Sequence, residues 1–208
     1  MPKNETRNTK EVIMNVALEQ FSKHGFEGTG VRDIAKVIGI RESAIYKHFG
    51  SKQEIFNSIL KDIEHRYEKE MANLELSRNI KDTINENDSR TNLFLMCTKM
   101  FAFYLKSEYG IQLRRMLTIE QYRDSEAGNV FRELIINNGL TYITSIFQEL
   151  IDAKVYIDED PVTMATQFYS PLYLLLSKYD GQKDAYDEAL SALEQHITLF
   201  NKVYARRK

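Results

Sequence analysis

The stretch Val31-Arg32-Asp33-Ile34-Ala35-Lys36-Val37-Ile38-Gly39-Ile40-Arg41-Glu42-Ser43-Ala44-Ile45-Tyr46-Lys47-His48-Phe49 decides the fold. Val31, Ile34, Ala35 and Ile38 recur at helical spacing, so the segment predicts a short helix with Gly39 as its stop. A second short helix fits Glu42 to Phe49, closed by Gly50. Ala35 and Gly39 stand four apart, where a small side chain lets two helices approach and glycine accepts a left-handed turn. That is the signature of a helix-turn-helix. Ile34, Ile38, Ile40, Ile45 and Phe49 suffice to brace the unit, which leaves Glu42, Ser43, Tyr46 and Lys47 outward. A protruding helix of this kind fits the major groove of DNA, about 12 Å wide with distinguishable base edges.

Upstream, Val12, Ile13, Val16, Ala17 and Phe21 predict a helix over Lys10 to His24, stopped by Gly25. Downstream, Ser51-Lys52-Gln53-Glu54 reads as a capping box opening a helix that carries Ile55, Phe56, Ile59, Leu60 and Ile63 to about Leu74. A polar connector from Glu75 to Arg90 follows. Beyond it, apolar periodicity predicts helices near Thr91 to Ser107, Tyr109 to Arg123, Ala127 to Ala153, Pro161 to Tyr179 and Asp184 to Tyr204. The expected class is all-α, with about nine helices and no strand. Residues 1–52 would form the helix-turn-helix domain and 53–208 a second helical domain.

Composition agrees with a globular protein: 43% apolar and 28% charged residues, with only 9 Gly and 3 Pro to interrupt long helices. The start is polar and no run of about 18 apolar residues occurs, so a cytoplasmic location is expected. The single Cys97 has no partner for a disulfide, and neither CxxC nor HExxH is present. His24, His48, His65 and His196 show no ligand spacing, so neither metal nor cofactor is expected. The run Asp158-Glu159-Asp160 reads as a solvated loop with capping value. Residues 1–60 carry nine Lys or Arg against seven Asp or Glu, and the remainder nineteen against twenty-three. So small an asymmetry decides nothing, and position must.

From Val12 to Phe56 the chain resembles the DNA-binding domain of the TetR family. The resemblance is carried by Phe21-x-x-x-Gly25-Phe26, Thr29, Val31-Arg32-Asp33-Ile34-Ala35, Gly39-Ile40, and Ala44-Ile45-Tyr46-Lys47-His48-Phe49-x-Ser51-Lys52-x-x-Ile55. It implies that Tyr46 and His48 contact phosphates or base methyl groups, that Lys52 meets a phosphate, and that Thr29 and Arg32 reach the DNA backbone. Glu42 and Ser43 would face bases, with Arg41 and Lys47 completing the DNA-binding set. Two positions depart from the family pattern. Gly30 replaces the usual second Ser or Thr cap, and Arg41-Glu42 stands where many members have Ser and a basic or polar residue. Glu42 could accept from cytosine N4 but would repel a phosphate. For Lys52 the bland alternative is a solvated lysine, and for Tyr46 a ring packed on the bundle. Lys3, Arg7 and Lys10 could form a DNA-contacting arm or a frayed terminus.

The second domain centres on Thr91 to Leu105, apolar nearly all round and therefore buried. Phe94, Cys97, Met100, Phe101 and Tyr104, with Met116, Tyr122, Phe147, Phe168, Tyr169 and Tyr173, offer walls for an apolar or aromatic small molecule. The alternative for each is plain core packing, and Cys97 in particular reads as a buried small hydrophobe. The resemblance implies that the last two helices pair with their copy in a homodimer, through Leu172, Leu176, Tyr179, Leu190, Leu193, Ile197 and Phe200. Pro171 should kink the first of them. The function thus implied is a ligand-responsive regulator, a repressor released from a palindromic DNA operator by its effector. A helical protein-interaction module is the rival, but it leaves Tyr46, His48 and Lys52 unexplained as a group. An enzyme is the weaker rival, since no nucleophile and base stand at a recognisable spacing.

Overall fold

The computed structural model describes residues 3–73, 86–182 and 184–206. Its helices are α1 (Lys3–His24), α2 (Val31–Ile38), α3 (Glu42–Ile45), α4 (Lys52–Asn73), α5 (Glu86–Lys106), α6 (Glu108–Glu120), α7 (Ser125–Phe131), α8 (Asn138–Asp152), α9 (Pro161–Lys178) and α10 (Tyr186–Tyr204). A π-helical stretch, Arg132–Asn137, joins α7 to α8, so the expected single helix over Ala127 to Ala153 exists with one widened turn inside it. Among the described residues the only extended pairing is an isolated bridge between Tyr156 and Ala205, and the protein is all-α. Leu74 and the connector residues 75–85 lie outside the described residues, while 86–90 already belong to α5.

The chain forms two compact units, Met1–Lys69 with Ile111–Leu134, and Glu70–Gly110 with Ile135–Lys208. The sequence division at 52/53 therefore differs from the packing. Most of α4 belongs with α1 to α3, because Ile55, Phe56, Ile59, Leu60 and Ile63 are buried together with Ile13, Ala17, Phe21, Ile34, Ala35, Ile45 and Phe49. The rings of Phe21, Phe26 and Phe56 meet at 5.1 to 5.7 Å, largely edge-on. Each such side chain contributes about 1.5–3 kcal/mol by leaving water. Most of α6, and α7, also join this unit, which sequence periodicity could not show.

The helix starts are set locally. Gly30 caps α2 with no side chain to offer, and Asp33 Oδ2 accepts instead from Gly30 N at 2.8 Å. At α4 the Ser51 hydroxyl accepts from Glu54 N at 3.1 Å, but the Glu54 carboxylate returns to Gly50 N at 2.7 Å, one residue earlier than a capping box requires. Asp160 caps α9 by accepting from Thr163 N at 2.8 Å and from its hydroxyl. That bond holds its carboxyl below the usual range and gives the acidic run the capping role expected of it.

In the second unit, Phe147 of α8 lies 5.7, 5.4 and 5.1 Å from the rings of Tyr156, Phe168 and Phe200. The helix α9 runs through Pro171, and the carbonyl of Phe168 accepts from His196 Nε2 of α10 at 2.9 Å. Within the π stretch a widened turn loosens the backbone ladder. Two tyrosine hydroxyls serve its carbonyls: Tyr67 donates to Leu134 O at 3.2 Å, and Tyr169 to Ile135 O at 2.5 Å. Tyr169 reaches its carbonyl by lying across bare backbone, for a Cβ on Gly139 would stand 2.6 Å from its ring. We expect Tyr169→Phe, which removes this donor from a buried site, to lose about 1–2 kcal/mol in urea denaturation. An unchanged midpoint would show that the widened turn needs no such support.

Candidate nucleic-acid interface

The four-residue α3 ends at Ile45, and tight turns rather than further α-helix carry the chain to Phe49. Those turns are bonded, with His48 N donating to Ile45 O at 2.8 Å and Phe49 N to the same oxygen at 3.0 Å. Ile45 and Phe49 therefore both point into the core, fully buried, as a longer helix would have placed them. The opposite face is left to Arg41, Glu42, Ser43, Tyr46 and Lys47, all exposed, with His48 half-buried. Tyr46 is 51% exposed, which removes the alternative of a ring packed on the bundle. Glu42 does not stand alone, since Arg32 Nε of α2 lies 4.0 Å from its carboxylate. Both side chains are exposed, so the pair adds little stability, but it offsets the negative charge on this face.

Two of the expected residues are placed differently. Thr29 is 2% exposed and its hydroxyl donates to Gly25 O at 2.9 Å, closing the turn before α2 instead of facing outward. Lys52 is neither a solvated lysine nor a cation aimed at solvent. Its ammonium donates to Phe26 O at 2.7 Å and Thr29 O at 3.0 Å, and sits 4.1 Å from the centroid of the Phe26 ring. Both departures have one physical cause. The turn between α1 and α2 leaves carbonyls without helical partners, and the nearest donors take them. Of the proposed arm, Lys10 stands over the Phe49 ring at 4.9 Å, while the side chains of Lys3 and Arg7 lie outside the described residues.

One residue near this face escaped the sequence reading. Glu120, at the end of α6, is 3% exposed and accepts from Phe26 N at 2.8 Å, with Arg123 Nη1 3.9 Å away. Its signal was there to be read, because Met116 and Leu117 stand three and four residues after Leu113, Glu120 stands four and three after them, and all four are buried on one helix face. A carboxylate on a core stripe needs a partner. Gly25 makes room for it: its φ is 72°, and a Cβ there would come 3.0 Å from Glu120 Oε1.

The residues expected to wall an effector site are placed as follows. Tyr122 is 90% exposed, and Met116 is buried in the first unit among α6 neighbours. Phe147 and Phe168 are ring-packed core. Cys97 is fully buried, and burial drives its thiol far above its ordinary value, which suits an inert core residue. Phe101, Tyr104 and Tyr169 are buried in the second unit, and Phe94, Met100 and Tyr173 of the same unit are half-buried. On α5 the hydroxyl of Thr98 is buried with no hydrogen-bond partner. Among the described residues no three His, Cys, Asp or Glu side chains come together as metal ligands, and no helix is long and apolar enough to cross a membrane.

The residues expected at the dimer interface face inward in the single chain. Leu172, Leu176, Tyr179, Leu193, Ile197 and Phe200 are buried within their own chain and Leu190 is half-buried. The outward apolar residues of these helices are Val162 and Leu174 on α9, and Leu199 and Val203 on α10. Both faces of α10 carry apolar residues at helical spacing, so periodicity alone could not tell which one the chain keeps for itself.

The sequence profile of the bacterial regulatory proteins of the tetR family matches residues 13–59. The chain is 25% identical over 197 residues to IcaR of Staphylococcus aureus, the HTH-type negative transcriptional regulator of the biofilm operon icaADBC, covering 94% of this chain and 95% of that protein. It is 40% identical over 57 residues to the HTH-type transcriptional regulator AcrR of Shigella flexneri, covering 27% of this chain and 26% of that one. In fold it is similar to a transcriptional regulator from Saccharomonospora viridis in complex with choline, with a TM-score of 0.72 at 17% identity, over 97% of this chain and all of that one.

Proposed function

We propose that the chain is a DNA-binding transcriptional regulator of the TetR type, a homodimeric repressor that leaves a palindromic operator when a small apolar or aromatic effector binds its second unit. The observation that carries the reading is the division of labour around α3, where Ile45 and Phe49 anchor the segment while Ser43, Tyr46 and Lys47 stand free on its outer face. Tyr46 supplies an aromatic edge and a hydroxyl to the groove, Lys47 and Arg41 meet phosphates, and Ser43 and Glu42 face bases. Arg32 steadies Glu42 and adds charge to the same surface. Two half-sites would lie about 34–36 Å apart, one turn of DNA, matching the two-fold symmetry of a dimer.

The outward residues Leu199 and Val203 of α10, four apart, together with Leu174 and Val162 of α9, make the face that a second copy would cover. For the effector, α5 offers Phe94 and Phe101, four residues before and three after Thr98 and so on the same helix face as its uncommitted hydroxyl, an apolar wall with one polar anchor. Effector and operator then oppose each other, since each favours a different arrangement of the dimer.

The test is selection from random duplex DNA. Wild-type protein should enrich a two-fold symmetric sequence, and Tyr46→Ala should bind that sequence about 5- to 150-fold more weakly, the range of one lost contact of 1–3 kcal/mol. A wild-type pool that stays random would favour an interaction module and end this reading.

A further inference from the structure

We propose that Glu120 and Lys52 are positioning residues for the DNA-reading segment, which hold Phe26 between them, and that Lys52 works through this clamp instead of touching a phosphate. The inference rests on the DNA-binding reading above. Both backbone polar groups of Phe26 are taken by side chains from other helices: its N–H donates to Glu120 of α6 at 2.8 Å, and its carbonyl accepts from Lys52 of α4 at 2.7 Å. Its ring is fixed too, between Phe21 and Phe56, with the Lys52 ammonium over one face. Lys52 also donates a charge-assisted hydrogen bond to the carbonyl oxygen of Thr29 at 3.0 Å, the residue directly before the Gly30 cap of α2. The start of α2 is thereby set by two side chains distant in sequence, and α3 follows only three residues after α2 ends.

Neither charge has a cheaper explanation. Glu120 occupies a buried position on a helix face otherwise made of Leu113, Met116 and Leu117, where an ionised group is costly unless bonded. Lys52 stands in the first turn of α4, where the helix dipole disfavours a cation. The two carbonyls and the aromatic face are what it gains there. With two of its three N–H groups directed to carbonyls and an aromatic face beside it, the ammonium is poorly placed to displace a counterion from DNA.

Salt dependence separates a clamp from a phosphate ligand. A phosphate-contacting lysine contributes about one counterion, so losing it lowers the slope of log K against log salt by about one. We would measure that slope by fluorescence anisotropy on the duplex enriched by the wild-type selection, for Lys52→Gln, Glu120→Ala and Glu120→Gln, with circular dichroism to confirm folding. Lys52→Gln and Glu120→Ala should each weaken binding about tenfold while keeping the wild-type slope, the mark of misplaced rather than missing contacts. Glu120→Gln, whose carbonyl can still accept from Phe26 N, should bind like wild type. If Glu120→Ala proves unfolded, Glu120→Asp, which withdraws the oxygen by one methylene, takes its place with the same expectation. A slope reduced by about one in Lys52→Gln, or wild-type affinity in a folded Glu120→Ala or Glu120→Asp, overturns the clamp. Wild-type protein that binds no duplex at all would instead overturn the DNA-binding reading.

Discussion

Leu199→Asp is expected to yield a folded monomer that no longer holds a two-half-site operator. Leu199 is 62% exposed in the single chain and lies one turn from the exposed Val203, on the face of α10 turned away from Leu193 and Ile197. In a two-fold dimer every substitution enters the interface twice. Burying one leucine stabilises by about 1.5–3 kcal/mol, so the pair accounts for about 3–6 kcal/mol and a hundredfold to ten-thousandfold change in the dimer dissociation constant. A carboxylate adds the cost of desolvating an unpaired charge. Sedimentation equilibrium reads the result directly, and circular dichroism should show undiminished helix. Leu193→Asp is the control, since Leu193 is fully buried within the chain and its replacement should unfold the protein instead. Should Leu199→Asp dimerise as tightly as wild type, the outward face of α9 and α10 is not the interface.

The same two helices show where the sequence is legible and where it is not. Their existence and limits follow from periodicity and capping, with Pro161 at the start of α9 behind Asp160 and the last turn of α10 ending at Tyr204. Which face is core does not follow, because periodicity reports that a stripe is apolar, not what covers it. The helix-turn-helix was read more fully, since Gly39 and the buried Ile34, Ala35, Ile45 and Phe49 leave a single way to fold nineteen residues between Val31 and Phe49. What escaped there were long-range bonds. The partners of Lys52 lie 23 and 26 residues away, and Glu120 is 94 residues from Phe26, so no local pattern could announce them. The widened turn at Arg132–Asn137 was equally silent, because its carbonyls are served by Tyr67 and Tyr169 from remote helices.

Phe147 puts the distinction between core and effector wall to the test. As a wall it would face a cavity, and trimming it would chiefly change effector affinity. In the structure it is fully buried, stacked at 15° on Phe200 and edge-on to Phe168 at 90°. Removing the ring should leave a void that these neighbours, themselves held by α9 and α10, cannot fill. Phe147→Ala is therefore expected to cost about 3–5 kcal/mol of unfolding free energy, the range for large-to-small changes in packed cores. Phe94→Ala on α5, where the side chain is half-buried, should cost clearly less and is the better place to look for a loss of effector binding. Urea denaturation of the two variants against wild type decides the matter. A Phe147→Ala protein within about 1 kcal/mol of wild type would mean that the cluster tolerates a void, and would favour α8 and α9 over α5 in the proposed effector site.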